Sequence, residues 1–245
     1  MKIDYAIVSA DDTTGYINFW PTVRSLWQEA IGVKPILVLI SDRDEIIDAY
    51  DYKMHIIKKN KIIKRSTQAQ IARMFVTQFY PNETCITSDI DMLPLNKEYF
   101  TKTIEEVPTE NIAIMTSDAP NDRSQPRFPI CYNAALGSTF KDILDLNNSF
   151  EEYCEKLKHF YWRWDTDELY FGKMISEWKH QDRISLFNRG FNKKTADKRI
   201  DRKNWKYSIK DLEENKYIDC HCEKNYNNNK KEIELITNTT LKYYS

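Results

Sequence analysis

Glycine is scarce in this chain, with five among 245 residues. None of them falls into Gly-x-Gly-x-x-Gly or Gly-x-x-x-x-Gly-Lys, so neither a dinucleotide fingerprint nor a P-loop is supported. Long apolar runs are missing as well. No stretch approaches the roughly 20 residues of a membrane-spanning helix, and no membrane span is expected. Charge of one sign is not in excess either. With 36 Lys and Arg against 37 Asp and Glu, the formal net charge is −1, and composition demands no basic face of the kind a general nucleic-acid binder needs. The five cysteines are an odd number, which fits a reducing compartment better than a disulfide framework; a cytoplasmic location is the expectation. The opening segment over residues 1–10 is short and carries Asp4, so it reads as a first strand and not as a signal peptide.

Apolar residues make up 41% of the chain and aromatics 13%, enough for a sizeable core in one large α/β domain or two small ones. Ile3 to Val8 reads as a buried strand that opens into the polar loop Ser9-Ala-Asp-Asp-Thr-Thr-Gly15. Val23, Leu26, Trp27 and Ala30 recur at the spacing of an amphipathic helix. Pro35 to Ile40 is a second strand, apolar almost throughout, as suits a parallel strand covered on both faces. Thr67 and Gln70 have capping-box spacing, and Ile71, Ala72, Phe75 and Phe79 supply a core face for the helix behind them, which Pro81 stops. Cys85 to Ser88 then reads as the third strand.

Further on, Ala113 to Thr116 is a strand candidate, Ser117 to Pro129 a loop, and Asn133-Ala-Ala-Leu-Gly137 a segment re-entering the sheet. Helices are expected over 140–158 and 166–178, the latter with Phe171, Met174, Ile175 and Trp178 on its core face. From residue 180 the chain turns basic, aromatic and Asn-rich, with few apolar runs. No linker or repeat interrupts this order, so a single domain over 1–245 with a loosely built C-terminal section is expected.

The alternation of strands and helices predicts a doubly wound sheet with right-handed crossovers. Ligands of such sheets bind outside the C-terminal ends of the strands, where Ser9-Ala10, Ser41-Asp42 and Asp89 to Asp91 all lie. In Thr-Ser-Asp-Ile-Asp-Met-Leu-Pro94 the two acids are at i and i+2, and such residues of an extended segment point the same way. Both carboxylates can then face one hard divalent cation, Mn2+ or Mg2+, which takes oxygen ligands. A plain turn is the other reading of two acids after a strand.

These segments together resemble a GT-A glycosyltransferase. The resemblance rests on the N-terminal strand with its polar loop, Ser41-Asp42, and the helix Gln68-Ala-Gln-Ile-Ala-Arg73. It continues through Ser88-Asp-Ile-Asp-Met-Leu-Pro94, Pro129-Ile-Cys-Tyr-Asn-Ala-Ala-Leu-Gly137, Trp164-Asp-Thr-Asp-Glu168 and a late Asp219-Cys-His221. It covers most of the chain and is similar to glycogenin-like enzymes and small viral or bacterial sugar transferases. The implied fold is an α/β, Rossmann-like mixed sheet flanked by helices, with a nucleotide-binding half over 1–100 and an acceptor-side half over 101–245. The implied partners are a nucleotide-sugar donor, with a UDP-sugar as the prior, and a carbohydrate or glycoconjugate acceptor.

By that resemblance, Ser9, Ala10 and Asp11 contact the nucleotide base, and Asp42 holds base or ribose unless it serves as an Asx turn or helix cap. Arg73 reaches the diphosphate or is a helix-face charge. Asp91 binds the metal, Asp89 reaches ribose, metal or both, and His221 is the third protein ligand. Cys220 and Cys222 flank His221 but lack a second Cys pair at zinc-finger spacing. Asn133 would bond donor-sugar hydroxyls, and Ala134 would leave room for the ring. Asp167, then Glu168, then Asp165 are the candidates for a general base, although Asp165 or Thr166 could instead cap the helix that follows. Trp162 and Trp164 could stack on an acceptor sugar or sit in the core, and Arg202 and Lys206 could offset diphosphate charge. The carboxylate cluster leans toward an inverting transfer. Two rivals remain: a sugar-phosphate nucleotidyltransferase, which the first loop disfavours because it lacks a Gly-rich basic turn, and a non-catalytic carbohydrate-binding domain.

Overall fold

The computed structural model describes residues 1–13, 15–42, 53–118, 127–147, 149–160, 164–189, 198–203 and 205–245. Trp162 and most of the expected loop over 117–129 lie outside them. Among the described residues the strands are β1 (Tyr5–Asp11), β2 (Lys34–Ser41), β3 (Lys53–Lys58), β4 (Thr84–Asp89), β5 (Met92–Pro94), β6 (Ile112–Ile114), β7 (Asn133–Leu136), β8 (Ile184–Leu186), β9 (Lys198–Ile200) and β10 (Tyr217–His221). A seven-stranded sheet runs in the order β3-β2-β1-β4-β7-β6-β8. Its first four strands are parallel, and β7 is antiparallel to both β4 and β6. The expected mixed α/β sheet flanked by helices is therefore the one observed.

The helices are α1 (Trp20–Ser25), α2 (Arg65–Val76), α3 (Lys97–Lys102), α4 (Gly137–Leu144), α5 (Phe150–Lys158), α6 (Thr166–Glu177), α7 (Ile209–Glu213) and α8 (Lys230–Tyr244). Pro21 opens α1, where its missing N–H costs nothing. That helix runs on through a π-helical turn, Leu26–Ile31, to Gly32 in the left-handed region.

Alternate side chains of β1 feed two cores. Ala6, Val8 and Ala10 join Val23, Leu26 and Trp27 from the first helical segment, while Ile7 joins Ile71, Ala72 and Phe75 of α2. Coverage on both faces explains why β1 and β2 read as near-continuous apolar runs. The chain steps outward from β1 to β2 and β3, then returns to lay β4 on the other side of β1. That reversal leaves a crevice beyond the C-terminal ends of β1 and β4, where Ser9 is in register with Asp89.

Several local expectations need correcting. A strand went unread: β3, Lys-Met-His-Ile-Ile-Lys, is an edge strand of intermediate burial with lysine at each end, the pattern that blunts an edge against further pairing. The Asp89 strand is consequently the fourth. The Thr67–Gln70 capping box is absent, because α2 begins at Arg65 and Thr67 is buried inside it. Gln68 instead ties down the preceding loop, accepting from the Asn60 N–H and donating to the carbonyls of Asn60 and Ile63. Phe79 is exposed and stacks on His55 instead of joining the core. The helix expected over 140–158 is two helices, broken where Asp145 turns left-handed and Ser149 with Glu152 caps α5.

The C-terminal section is better ordered than its composition suggests. A second sheet, β5-β10-β9, pairs β10 antiparallel with β5 and parallel with β9. His221 is thereby placed opposite Met92, next to Asp91. Among the described residues all five cysteines are unpaired and buried, and no helix is long and apolar enough to cross a membrane.

Gly137 sits where α4 packs on the turn after α2, and a Cβ there would lie 2.2 Å from the carbonyl oxygens of Thr77 and Tyr80. Backbone on both sides leaves no flexible atom to yield. Gly137→Ala is therefore expected to cost about 3 kcal/mol, the upper end of ordinary overpacking, measured by urea unfolding. A change under about 0.5 kcal/mol, the range of a neutral surface substitution, would show that the turn yields freely.

Candidate active site

A cavity of about 510 Å³ lies beyond the C-terminal ends of β1 and β4. Ser9, Ala10 and Asp11 form one wall. The Ser9 hydroxyl turns back to donate to the Ala69 carbonyl of α2 at 2.5 Å, and the Asp11 carboxylate accepts from the N–H and hydroxyl of Thr13. These contacts shape the first loop around its own side chains.

The floor is built on Arg73. Its side chain is buried, and its guanidinium donates to the Ser88 carbonyl at 3.0 Å and to the Asp89 carboxylate. Its other terminal nitrogen is 3.9 Å from Asp167 Oδ2. Burial alone would raise the pKa of Asp89, but the charge and hydrogen bond of Arg73 outweigh it and hold that carboxyl below its usual range. Asp167 takes the opposite course. Burial, reinforced by the neighbouring Glu168 charge and only partly offset by Arg73, pushes it up to about 7. One guanidinium thus fixes two carboxyls whose pKa values are driven apart.

Asp91 occupies the next position along the wall. Its carboxylate is 3.7 Å from His221 Nε2 and 3.5 Å from Arg202 Nη1, and its carbonyl accepts from the Cys222 N–H. Cys220 and Cys222 turn into the core, away from the cavity. Among the described residues no three His, Cys, Asp or Glu side chains already cluster as a metal site. Asp91 and His221 face each other on the cavity wall, whereas Asp89 is engaged by Arg73. As placed, these two carboxylates and the imidazole share one wall without forming a three-ligand group.

The opposite wall is the first turn of α6. Asp167 and Glu168 line the cavity, but Asp165 does not. Asp165 occupies the N-cap position without bonding the helix N–H groups; it pairs with Arg127 at 3.2 Å. Arg127 also donates to Glu168 at 2.5 Å. Oδ1 of Asp167 is buried and, among the described residues, has no hydrogen-bond partner.

No protein family and no curated protein matches the sequence; the likeness is one of shape. A galactosyltransferase, LgtC, solved with donor and acceptor sugar analogues, superposes with a TM-score of 0.50 at 10% identity, over 90% of this chain and 87% of that one. The chain has the GT-A fold. Mouse xyloside xylosyltransferase 1 superposes at 0.44 with 11% identity over 90% and 97% of the two chains. A 4-diphosphocytidyl-2C-methyl-D-erythritol synthase from Anaerococcus prevotii superposes at 0.45 with 14% identity over 76% and 87%.

Within this GT-A frame, Ser9, Ala10, Asp11, Arg73, Asp89, Asp91, Asp167, Glu168 and His221 line one cavity. Asn133 and Ala134 are instead buried within β7, where the Asn133 amide donates to the carbonyls of Pro129 and Ile130. Asp42 stands outside the cavity, ion-paired with Lys59 and, at 3.9 Å, with Arg65. Lys206 is exposed and off the wall. Tyr16, Arg127, Arg189, Arg199 and Lys224 also line it; none belongs to a sequence motif, and Arg199 sits on β9, a strand of three residues. Burial, then the Asp91 charge, raises the pKa of Tyr16. Arg199 is neutralised by Asp219, which it binds at 2.5 and 3.0 Å.

Replacing Arg73 by Met would leave the Asp89 charge without its partner. With the Asp89 side chain 31% exposed, the expected loss at neutral pH is about 1.5–3 kcal/mol, that of a hydrogen bond to a charged group. Because Asp89 is depressed below its usual 3.8, the pairing stabilises the fold above about pH 4 and fades as the pH falls through the depressed value. Urea unfolding at pH 7.5 and 2.5 should show the Arg73→Met penalty shrinking with acidity. A penalty that is equal or larger at pH 2.5 would refute this account.

Proposed function

We propose that the chain is a metal-dependent glycosyltransferase that moves a sugar from a nucleoside-diphosphate donor, a UDP-sugar first among them, to an acceptor hydroxyl of a glycan or glycoconjugate. The observation that carries this reading is the meeting, across one cavity at the β1/β4 crevice, of Asp89, Asp91 and His221 with Asp167 and Glu168. Asp91 and His221, joined by Asp89, would hold Mn2+ or Mg2+, whose Lewis acidity would offset the charge that develops on the departing diphosphate. The first loop, Ser9 to Asp11, would receive the base through its backbone. Arg202 and Lys224 would add positive charge on the diphosphate side.

Asp167 is assigned the acceptor proton. A bond forms from the acceptor oxygen to the anomeric carbon, the bond from that carbon to the diphosphate breaks with its electron pair, and the proton passes to Asp167. Its pKa of about 7 is near the operating pH at which a general base works best, and its side chain lines the cavity. Such a base implies inversion at the anomeric centre. Glu168, neutralised by Arg127, would position the acceptor.

Calorimetric titration of UDP with Mn2+ tests the donor site. Asp91→Ala and His221→Ala should each weaken metal-dependent binding by more than the ~10–100-fold typical of losing an outer-shell partner. Wild-type protein that binds neither UDP nor GDP with metal would overturn the assignment. So would release of pyrophosphate from a nucleoside triphosphate and a sugar phosphate, which would mark a nucleotidyltransferase.

The base is tested separately. Asp167 must be ionised to accept a proton, so kcat/KM should rise with pH to a plateau above about 7. Asp167→Asn should reduce transfer by roughly 10²–10⁴-fold with UDP binding preserved. Retention of anomeric configuration, read by NMR of the product, would remove Asp167 from the base role.

A further inference from the structure

Trp164 is the most exposed of the large apolar side chains among the described residues, at 68%, and none of the others that stand exposed lines the cavity. An indole left in water forfeits the burial that makes tryptophan stabilising, yet here one ring face and the backbone carbonyl are both engaged. The Arg127 guanidinium carbon lies 5.1 Å from the ring centroid and covers one face. Arg127 is itself anchored by Asp165 at 3.2 Å and Glu168 at 2.5 Å. Gln70 of α2 reaches the Trp164 carbonyl at 3.5 Å. Trp164 lines the cavity together with Gln70, Arg127 and Glu168, and most of its surface stays open.

We infer that Trp164 is a stacking platform for a neutral pyranose, with Gln70, Glu168 and Arg127 as the hydroxyl-bonding groups around it. The C–H bonds on the less polar face of a pyranose carry slight positive charge and lie flat on the electron-rich face of an indole, while the ring hydroxyls point outward to planar polar side chains. Charge decides against an acidic sugar. The single positive charge of Arg127 is already matched by two carboxylates, Asp165 and Glu168. Arg127 therefore has no uncompensated charge to offer a uronate or phosphorylated sugar. The role of this ring as the acceptor rests on the transferase reading; its chemistry does not. On the transferase reading the acceptor accordingly ends in a neutral pyranose with an uninterrupted C–H face, for which simple β-pyranosides serve as probes.

The test uses the full chain and two independent readouts. Methyl β-D-galactopyranoside, methyl β-D-glucopyranoside and, as a polyol without a ring face, D-mannitol are titrated by NMR against protein labelled at the indole nitrogens. The Trp164 resonance is identified as the one missing from Trp164→Ala, and UDP binding with Mn2+ is followed in parallel. A pyranoside should shift the Trp164 resonance, mannitol should not, and Trp164→Ala should weaken pyranoside binding about tenfold with UDP affinity unchanged. Trp164→Phe should restore most of the binding, which a purely structural role would not predict. Unaltered pyranoside affinity in Trp164→Ala, or a Trp164 resonance indifferent to every pyranoside, overturns the inference. Failure of UDP to bind, with the pyranoside response intact, sinks the transferase reading and leaves the sugar platform standing.

Discussion

A single buried guanidinium organises the cavity. Arg73 comes from the helix that covers one face of the sheet, crosses beneath β4, and meets Asp89 and Asp167 from two separate parts of the chain. Desolvating a guanidinium is costly, and only close counter-charges offset it. The arrangement leaves Asp89 firmly ionised and Asp167 near half-ionised at neutral pH. Divergent pKa values in neighbouring carboxyls are a hallmark of sites that handle charge and protons in the same step. Arg73 lines the cavity while its charge sets the ionisation of the two carboxyls beside it.

The two sheets divide the labour. The large one supplies the crevice through its strand order, and the small one brings the C-terminal section across to close it. His221 reaches Asp91 because β10 pairs with β5, whose first residue, Met92, directly follows Asp91. Arg199 and Asp219, on paired strands, neutralise each other at the cavity wall.

Much of this was legible in the residues. Apolar runs marked β1, β2 and β4, and the i, i+3, i+4 spacing marked the helix through Trp27, because each is buried on a defined face and the code is local. The acid pair and His221 were readable as a set through the resemblance to GT-A enzymes. What escaped reading depends on partners far away in sequence. β3 is half-exposed and reads as polar. Gln68 looks like a capping partner's neighbour but serves a loop several residues before it. Asp165 looks like a helix cap until Arg127 claims it. Asn133 and Ala134 sit in a motif that marks the fold, yet β4 and the carbonyls of Pro129 and Ile130 use them. Position in a motif reported the scaffold there, and the cavity wall was drawn by contacts no local pattern encodes.

The pairing of β10 with β5 also bears on the order in which the molecule is completed. The crevice between β1 and β4 depends on contacts within the N-terminal half, whereas His221 arrives only when a strand made much later zips onto Met92–Pro94. Contacts so distant in sequence form late, since the intervening chain must be ordered first. A chain emerging during synthesis would therefore own the crevice between β1 and β4 well before it owned the imidazole beside Asp91. The register of β10 is strict as well, because a slip of one residue would turn His221 toward the core and a cysteine toward the cavity.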